Sequence, residues 1–165
     1  GLRAVRLRPF NHIGPGQNEN FAIPSFAAQI ARIETGLTPP IIRVGNLDAE
    51  RDFLDVRDVA AAYALAARKI DAIRPGAIFN VASGVGRRIG DILAELIGLS
   101  TKSIVIEHDP TRVRAGEVPR IVGNAELAKK VLGWVPRYRI EQTLAAVLDR
   151  CREDVRASGL TSNCS

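Results

Sequence analysis

Residues Ala77-Ile78-Phe79-Asn80-Val81-Ala82 form an almost unbroken apolar run that is closed by Ser83-Gly84. A short run of this kind, bounded by turn residues, predicts a strand buried on both faces. Such a strand needs covering layers above and below it, and the sequence on either side supplies them. Residues 3–9 alternate apolar and basic and predict a strand closed by Pro9. A turn-rich stretch from Asn11 to Asn20 follows, containing Gly14-Pro15-Gly16, and connections of that length usually carry function. Pro24-Ser25 open an amphipathic helix with Phe26, Ile30 and Ile33 on one face, ended by Gly36 and the Pro39-Pro40 pair. Ile41 to Val44 predicts a short strand. Asp55 is placed as the N-cap of an alanine-rich helix over 56–69, and Asp58 is expected to support the same first turn.

Beyond the buried strand the alternation continues. Ile89, Ile92, Leu93 and Leu96 predict a helix over 89–99, Ser103 to Glu107 a further strand, and 109–118 a second polar loop. Asn124 caps a short helix over 125–132 that Gly133 stops, with Trp134 as a packing anchor at its end. The last helix is predicted over 140–156, where Leu144, Val147, Leu148 and Cys151 recur at helical spacing. The expectation is one α/β unit over 1–157, with a disordered tail over 158–165.

Several function classes are disfavoured by what the sequence lacks. No run approaches the roughly 18 consecutive apolar residues of a membrane span, and the first residues hold no cleavable apolar segment. Two cysteines, Cys151 and Cys164, and two histidines make neither a disulfide framework nor a zinc site, so no metal is expected and a cytoplasmic location is. The net charge of +5 comes from basic residues scattered along the chain, and aromatics are 5%, which argues against nucleic acid as a partner. Nineteen of the basic residues are Arg and four are Lys, and Arg is the side chain suited to a two-pronged grip on phosphate.

A dinucleotide site of the usual kind needs Gly-x-Gly-x-x-Gly, so that backbone can approach the pyrophosphate. Gly84-Val85-Gly86 begins that pattern, but Arg87-Arg88-Ile89 follows; the segment is expected to be a tight turn and the Arg pair a solvated helix start. No Gly-x-x-x-x-Gly-Lys-Ser/Thr occurs, and neither His12 nor His108 has a nucleophile elbow to serve. Tyr63 is followed four residues on by Ala67 and Tyr138 by Gln142, so no Tyr-x-x-x-Lys pair exists and no catalytic residue is expected. The chain contains no Met and opens almost directly in a strand, which reads as a cut end.

Two stretches then carry a resemblance: Arg8-Pro9-Phe10-Asn11-His12-Ile13-Gly14-Pro15-Gly16-Gln17, and 45–58, with Gly45-Asn46-Leu47 and Arg51-Asp52-Phe53-Leu54-Asp55-Val56. Asp109-Pro110-Thr111-Arg112-Val113-Arg114 with Glu117-Val118, and Leu132-Gly133-Trp134-Val135-Pro136, support it in the same order. Over residues 3 to 150 the sequence resembles the extended short-chain dehydrogenase/reductase (NAD-dependent epimerase/dehydratase) family acting on nucleotide sugars, in its GDP-mannose branch. The resemblance implies the C-terminal, substrate-binding part of such an enzyme, an α/β fold with the last Rossmann strands and without the N-terminal cofactor-binding half. It implies NAD or NADP as cofactor and a GDP-sugar as partner, and it leaves a homodimer open. The implied reaction is reduction of the C4 keto group of a GDP-6-deoxyhexulose; the alternatives are 4,6-dehydration of GDP-mannose and a non-catalytic interaction module. This chain alone is expected to be inactive.

The resemblance also assigns residues. Arg51 and Arg114 match positions that hold the pyrophosphate, where two phosphates call for fixed positive charge. Glu117 matches an acidic residue that accepts hydrogen bonds from the ribose hydroxyls, although Ala115-Gly116 replace a usual Pro and polar residue before it. Phe10, Asn11 and His12 are implied beside the nicotinamide and the sugar. Asn20 matches an Asn at a phosphate oxygen and leads into Ile23 at a helix N-terminus. Gly45, Asn46 and Leu47 resemble the base-contacting turn.

Overall fold

The structure, a computed structural model, describes residues 3–113 and 116–161, the last three by backbone only. In chain order the elements are β1 (Arg6–Pro9), β2 (Asn11–Ile13), α1 (Ala22–Glu34), β3 (Ile41–Val44), β4 (Glu50–Asp55) and α2 (Val56–Arg68). There follow β5 (Ile78–Val81), β6 (Gly86–Arg88), α3 (Ile89–Gly98), β7 (Val105–His108), β8 (Arg120–Ile121) and α4 (Ile140–Thr161). By its internal contacts the chain divides into two compact units. One comprises residues 1–12, 50–87 and 120–140; the other comprises 13–49, 88–119 and 141–165.

In the first unit β1 runs parallel to β5, with Leu7 opposite Phe79 and Pro9 opposite Val81. Phe79 and Val81 are buried and Ile78 and Asn80 only half-buried, so β5 is fully covered on one face rather than on both. Against that face pack Val59, Ala62 and Ala66, which share one side of α2 at helical spacing. Leu54, Ile73, Ala128, Leu132 and Trp134 complete the cluster. Asp55 caps α2 as expected, accepting the Arg57 N–H at 2.8 Å. Asp58 does more. It is buried, and its carboxylate accepts the N–H groups of Arg137 and Tyr138 at 2.9 and 3.1 Å, while its carbonyl accepts Trp134 Nε1–H at 2.9 Å. It therefore pins the segment after Trp134 in addition to standing as the acidic residue in the first turn of its own helix.

β4 was not legible as a strand. It lies centrally in a sheet ordered β2–β4–β6, and β8 also pairs with it in parallel, Glu50 opposite Arg120 and Arg51 opposite Ile121. Arg51 to Asp55 are buried in succession, two carboxylates among them, which no simple hydropathy pattern announces. The short helix after Asn124 is there too: Asn124 Oδ1 accepts the Glu126 N–H at 2.8 Å, the last turn over Ala128–Leu132 is π-helical, and Gly133 ends it at φ 71°.

In the second unit α1 packs on β3 and α3. Its apolar stripe, Ile23, Phe26, Ile30 and Ile33, is buried, as are Ile42 and Val44 of β3 and Ile92, Leu93 and Leu96 of α3. α1 begins two residues before Pro24, because proline lacks only an N–H that a first turn leaves unpaired anyway. β3 pairs in parallel with β7, Ile42 opposite Ile106. α4 contributes Leu144, Val147 and Leu148 and continues to Thr161; of the tail expected over 158–165, residues 162–165 lie outside the described residues. Arg152 on α4 grips Glu34 on α1 through two 2.8 Å bonds and reaches the Leu99 carbonyl at 2.9 Å.

Candidate functional site

Three consecutive residues at the end of β3 meet three positions of the late polar loop, all within the second unit. The Val44 carbonyl accepts the Asp109 N–H at 2.8 Å. At Gly45 a Cβ would sit 2.6 Å from the Arg112 carbonyl oxygen, so only glycine lets the two backbones approach this closely. Asn46 Nδ2 donates to Glu117 Oε2 at 2.8 Å. The loop side is braced by Asp109, whose carboxylate accepts the Thr111 hydroxyl and N–H at 2.6 and 3.0 Å and Arg112 Nε at 3.3 Å. The Thr111 hydroxyl, then its backbone N–H and the Arg112 guanidinium, hold the Asp109 carboxyl below its ordinary range.

The turn side is fixed as firmly. Asn46 Oδ1 accepts the Asp48 N–H at 2.9 Å, an Asx-turn that settles which way its amide points. The Leu47 and Ala49 carbonyls accept the N–H groups of Gly90 and Ile89 at 2.9 and 3.0 Å, tying the turn to the start of α3. Arg88, which precedes that helix without capping it, pairs with Asp48. A carboxylate and an amide are thereby presented together on braced backbone. Such a pair accepts and donates hydrogen bonds to hydroxyls and ring nitrogens.

Of the residues singled out in the sequence, Gly45, Asn46, Leu47 and Glu117 are brought into this one junction. Asn20 is exposed in the same unit, its backbone N–H donating to Asn18 Oδ1 at 2.8 Å. The Ile23 side chain is buried in the core, so Ile23 offers a ligand no more than its backbone; its apolar side chain belongs to the stripe that folds α1. Arg114 lies outside the described residues.

The first unit holds the remaining candidates. Arg51 is 9% exposed on β4, with one guanidinium nitrogen donating to the Glu50 carbonyl at 2.9 Å. The Phe10 N–H donates to the Val81 carbonyl at 2.9 Å. Its ring lies on Gly123, where a Cβ would come within 2.7 Å of it, so the Phe10 ring is a packing group and its backbone faces β5. Asn11 is exposed, and His12 Nδ1–H donates to the Phe10 carbonyl at 3.0 Å, which fixes the imidazole tautomer at that nitrogen.

Sequence reasoning missed Asp52, next to Arg51. Its fully buried carboxylate accepts the Ser83 N–H and hydroxyl at 2.8 and 2.6 Å, the Gly84 N–H at 2.9 Å and the Gly123 N–H at 3.1 Å. A charged residue directly before apolar Phe53-Leu54 was the available signal. The clamped turn floors a cavity of about 380 Å³, walled also by Lys129, Trp134 and Pro136. Gly84 bends the chain at φ 79°, while Gly86, Arg87 and Arg88, expected as the rest of the turn and a solvated helix start, form strand β6, with Arg87 half-buried. Among the described residues no three His, Cys, Asp or Glu side chains gather as a metal site, and no helix is long and apolar enough to cross a membrane.

Residues 1–147 match a family model described as GDP-mannose 4,6 dehydratase. The chain is similar to the GDP-6-deoxy-D-mannose reductase of Pseudomonas aeruginosa, with 40% identity over 94% of this chain and 50% of that relative. It is also similar to GDP-mannose 4,6 dehydratase 2 of Arabidopsis thaliana, with 32% identity over 90% of this chain and 39% of the relative. Among solved structures it is similar to RMD from Pseudomonas aeruginosa complexed with NADPH, at 38% identity and a TM-score of 0.83, covering 92% of this chain and 49% of the other. The chain thus spans about half the length of the relatives it matches, or less.

Proposed function

Because the chain belongs to the GDP-mannose 4,6 dehydratase family, an α/β family of extended short-chain dehydrogenases, we propose that it is the nucleotide-sugar-holding part of an NAD(P)-dependent oxidoreductase. The proposed reaction is reduction of the C4 keto group of GDP-4-dehydro-6-deoxy-D-mannose: hydride adds to C4, the oxygen takes a proton, and an alcohol results. The observation that supports this reading over its neighbours is the 40% identity to a GDP-6-deoxy-D-mannose reductase across 94% of the chain.

In this reading the chain's own residues do the holding. Glu117 accepts the ribose hydroxyls, and Gly45 and Leu47 bound the base beside it. Arg51 is assigned to the pyrophosphate, for which a guanidinium supplies fixed positive charge. Arg114 has the same assignment, and Asn20 lies toward a phosphate oxygen. NADPH or NADH would supply the hydride, with Asn11, His12 and the Phe10 backbone along its nicotinamide end. The residues present fit one edge of that cofactor and not its pyrophosphate, since the sequence has no Gly-x-Gly-x-x-Gly turn. The chain alone therefore binds nucleotide sugar without turning it over.

A second reading, GDP-mannose 4,6-dehydration, is favoured by the family model and by the Arabidopsis relative. One experiment addresses both. The purified chain is incubated with NADPH and GDP-4-dehydro-6-deoxy-D-mannose, and separately with GDP-mannose, while NADPH absorbance and product are followed and bound sugar nucleotide is measured by equilibrium dialysis. Retention of the 4-keto sugar in preference to GDP-mannose, without NADPH oxidation, is expected. Preferential retention of GDP-mannose would favour the dehydratase, and NADPH oxidation would overturn the inactivity of the chain.

A further inference from the structure

We propose that Asn46 is a positioning residue, one that sets the Glu117 carboxylate for the ribose diol of a guanosine diphosphate rather than reading the base itself; this rests on the ribose role proposed for Glu117. Both ends of the Asn46 amide are engaged inside the protein. Nδ2 donates to Glu117 Oε2 at 2.8 Å, and Oδ1 accepts the Asp48 N–H at 2.9 Å. Each end of the amide keeps one further hydrogen-bonding site, but its orientation is set by these two internal bonds and not by a purine.

The two residues are 71 apart in sequence, and a half-buried Glu has several rotatable bonds to restrain. The restraint is carried by backbone. Val44 O to Asp109 N, Gly45 against the Arg112 carbonyl and Asn46 to Glu117 are successive contacts along one edge, so the loop that bears Glu117 is registered on the turn that bears Asn46. The turn is in turn held to α3 through Leu47, Asp48 and Ala49. A ligand diol would meet a carboxylate already oriented, which lowers the ordering cost of binding.

The test is calorimetric titration of the chain with GDP and with 2′,3′-dideoxy-GDP, comparing Asn46→Ala, Asn46→Asp, Glu117→Gln and the Asn46→Ala/Glu117→Gln double variant. Each single variant is expected to weaken GDP binding about tenfold, the scale of one charge-assisted hydrogen bond. The double variant should be no weaker than the weaker single one, and none should change dideoxy-GDP binding. Asn46→Asp keeps the Oδ1 acceptor of the Asx-turn and turns the Nδ2 donor into a carboxylate oxygen that repels Glu117, so a merely turn-forming Asn46 would tolerate it while a positioning one would not, with dideoxy-GDP binding reporting any effect of the added charge on the ligand itself. Retained GDP affinity in Asn46→Asp, additive losses in the double variant, or a loss in Asn46→Ala that persists with dideoxy-GDP would overturn the proposal. Failure of the underlying reading looks different: the unsubstituted chain fails to bind GDP, or Glu117→Gln binds it undiminished, and either result removes the positioning role as well.

Discussion

Ser83 donates both its backbone N–H and its hydroxyl to the same oxygen of Asp52, at 2.8 and 2.6 Å, while the other oxygen takes the N–H groups of Gly84 and Gly123. A buried carboxylate is tolerated because its charge is spread over four donors from two separate segments. Asp52→Ala would orphan the three backbone N–H groups at once. Its expected cost is about 2–4 kcal/mol in urea denaturation, against about 1–2 kcal/mol for Ser83→Ala, which removes the hydroxyl's bond to Asp52 and the acceptor of the Val85 N–H but leaves the three backbone N–H groups their carboxylate. Equal midpoints for Asp52→Ala and the unsubstituted chain would show that the clamp carries no stability.

The glycines separate close approach from mere flexibility. At Gly123 a Cβ would lie 2.3 Å from Ala82 Cβ and 2.7 and 2.8 Å from atoms of the Phe10 ring. Gly123→Ala should therefore destabilise by about 1–3 kcal/mol, as overpacking does. Gly98, in the last position of α3, has nothing within 4 Å of the same probe position. Gly98→Ala should be neutral or stabilising by up to about 1 kcal/mol. Thermal melts of the two variants side by side check the contrast.

Glu34 and Arg152 give the second unit a pH signature. The Arg152 guanidinium, helped by the Thr101 N–H, holds the Glu34 carboxyl below its ordinary value. A carboxylate whose folded value lies below its unfolded one stabilises fully above the unfolded value and loses that contribution as pH falls through the folded one. Arg152→Ala is expected to cost about 1–2 kcal/mol near neutral pH, and the gap to the unsubstituted chain should close on acidification below about pH 4. A gap that stays constant down to acid would contradict the assignment.

Cys151 sits half-buried on α4, and burial, with the nearby Glu19 and Asp154 charges, pushes its thiol up. Since the thiolate is the reactive form, iodoacetamide at about pH 8 should modify Cys151 several-fold more slowly in the folded chain than in urea. Peptide mass spectrometry resolves it from Cys164. Equal rates in the two conditions would place the thiol in an ordinary aqueous setting.

The legible part of the fold was carried by periodicity and caps: Asp55 before α2, Asn124 and Gly133 around the short helix, and the apolar stripes of α1 and α3. β4 escaped because its burial comes from partners distant in sequence, Ser83, Gly84 and Gly123 on Asp52, and such partners leave no local period. The second task of Asp58, beyond the first turn of its own helix, escaped for the same reason; its acceptors are used 79 and 80 residues away. At the site, the family resemblance pointed to Gly45, Asn46, Leu47 and Glu117. That they converge depends on a backbone approach at Gly45 and on a tertiary hydrogen bond, neither of which is written in spacing. Ile23 shows the converse limit, a motif position whose side chain the core had already claimed.

The central claim, that this chain holds the GDP moiety of a nucleotide sugar, is tested most directly by calorimetric titration with GDP and UDP, together with the Arg51→Ala variant. The account predicts that GDP binds well above UDP and that Arg51→Ala weakens GDP about tenfold or more, the loss of a charge-assisted phosphate contact. A folded sample that binds both nucleotides equally, or binds neither, or is indifferent to the loss of Arg51, would contradict it.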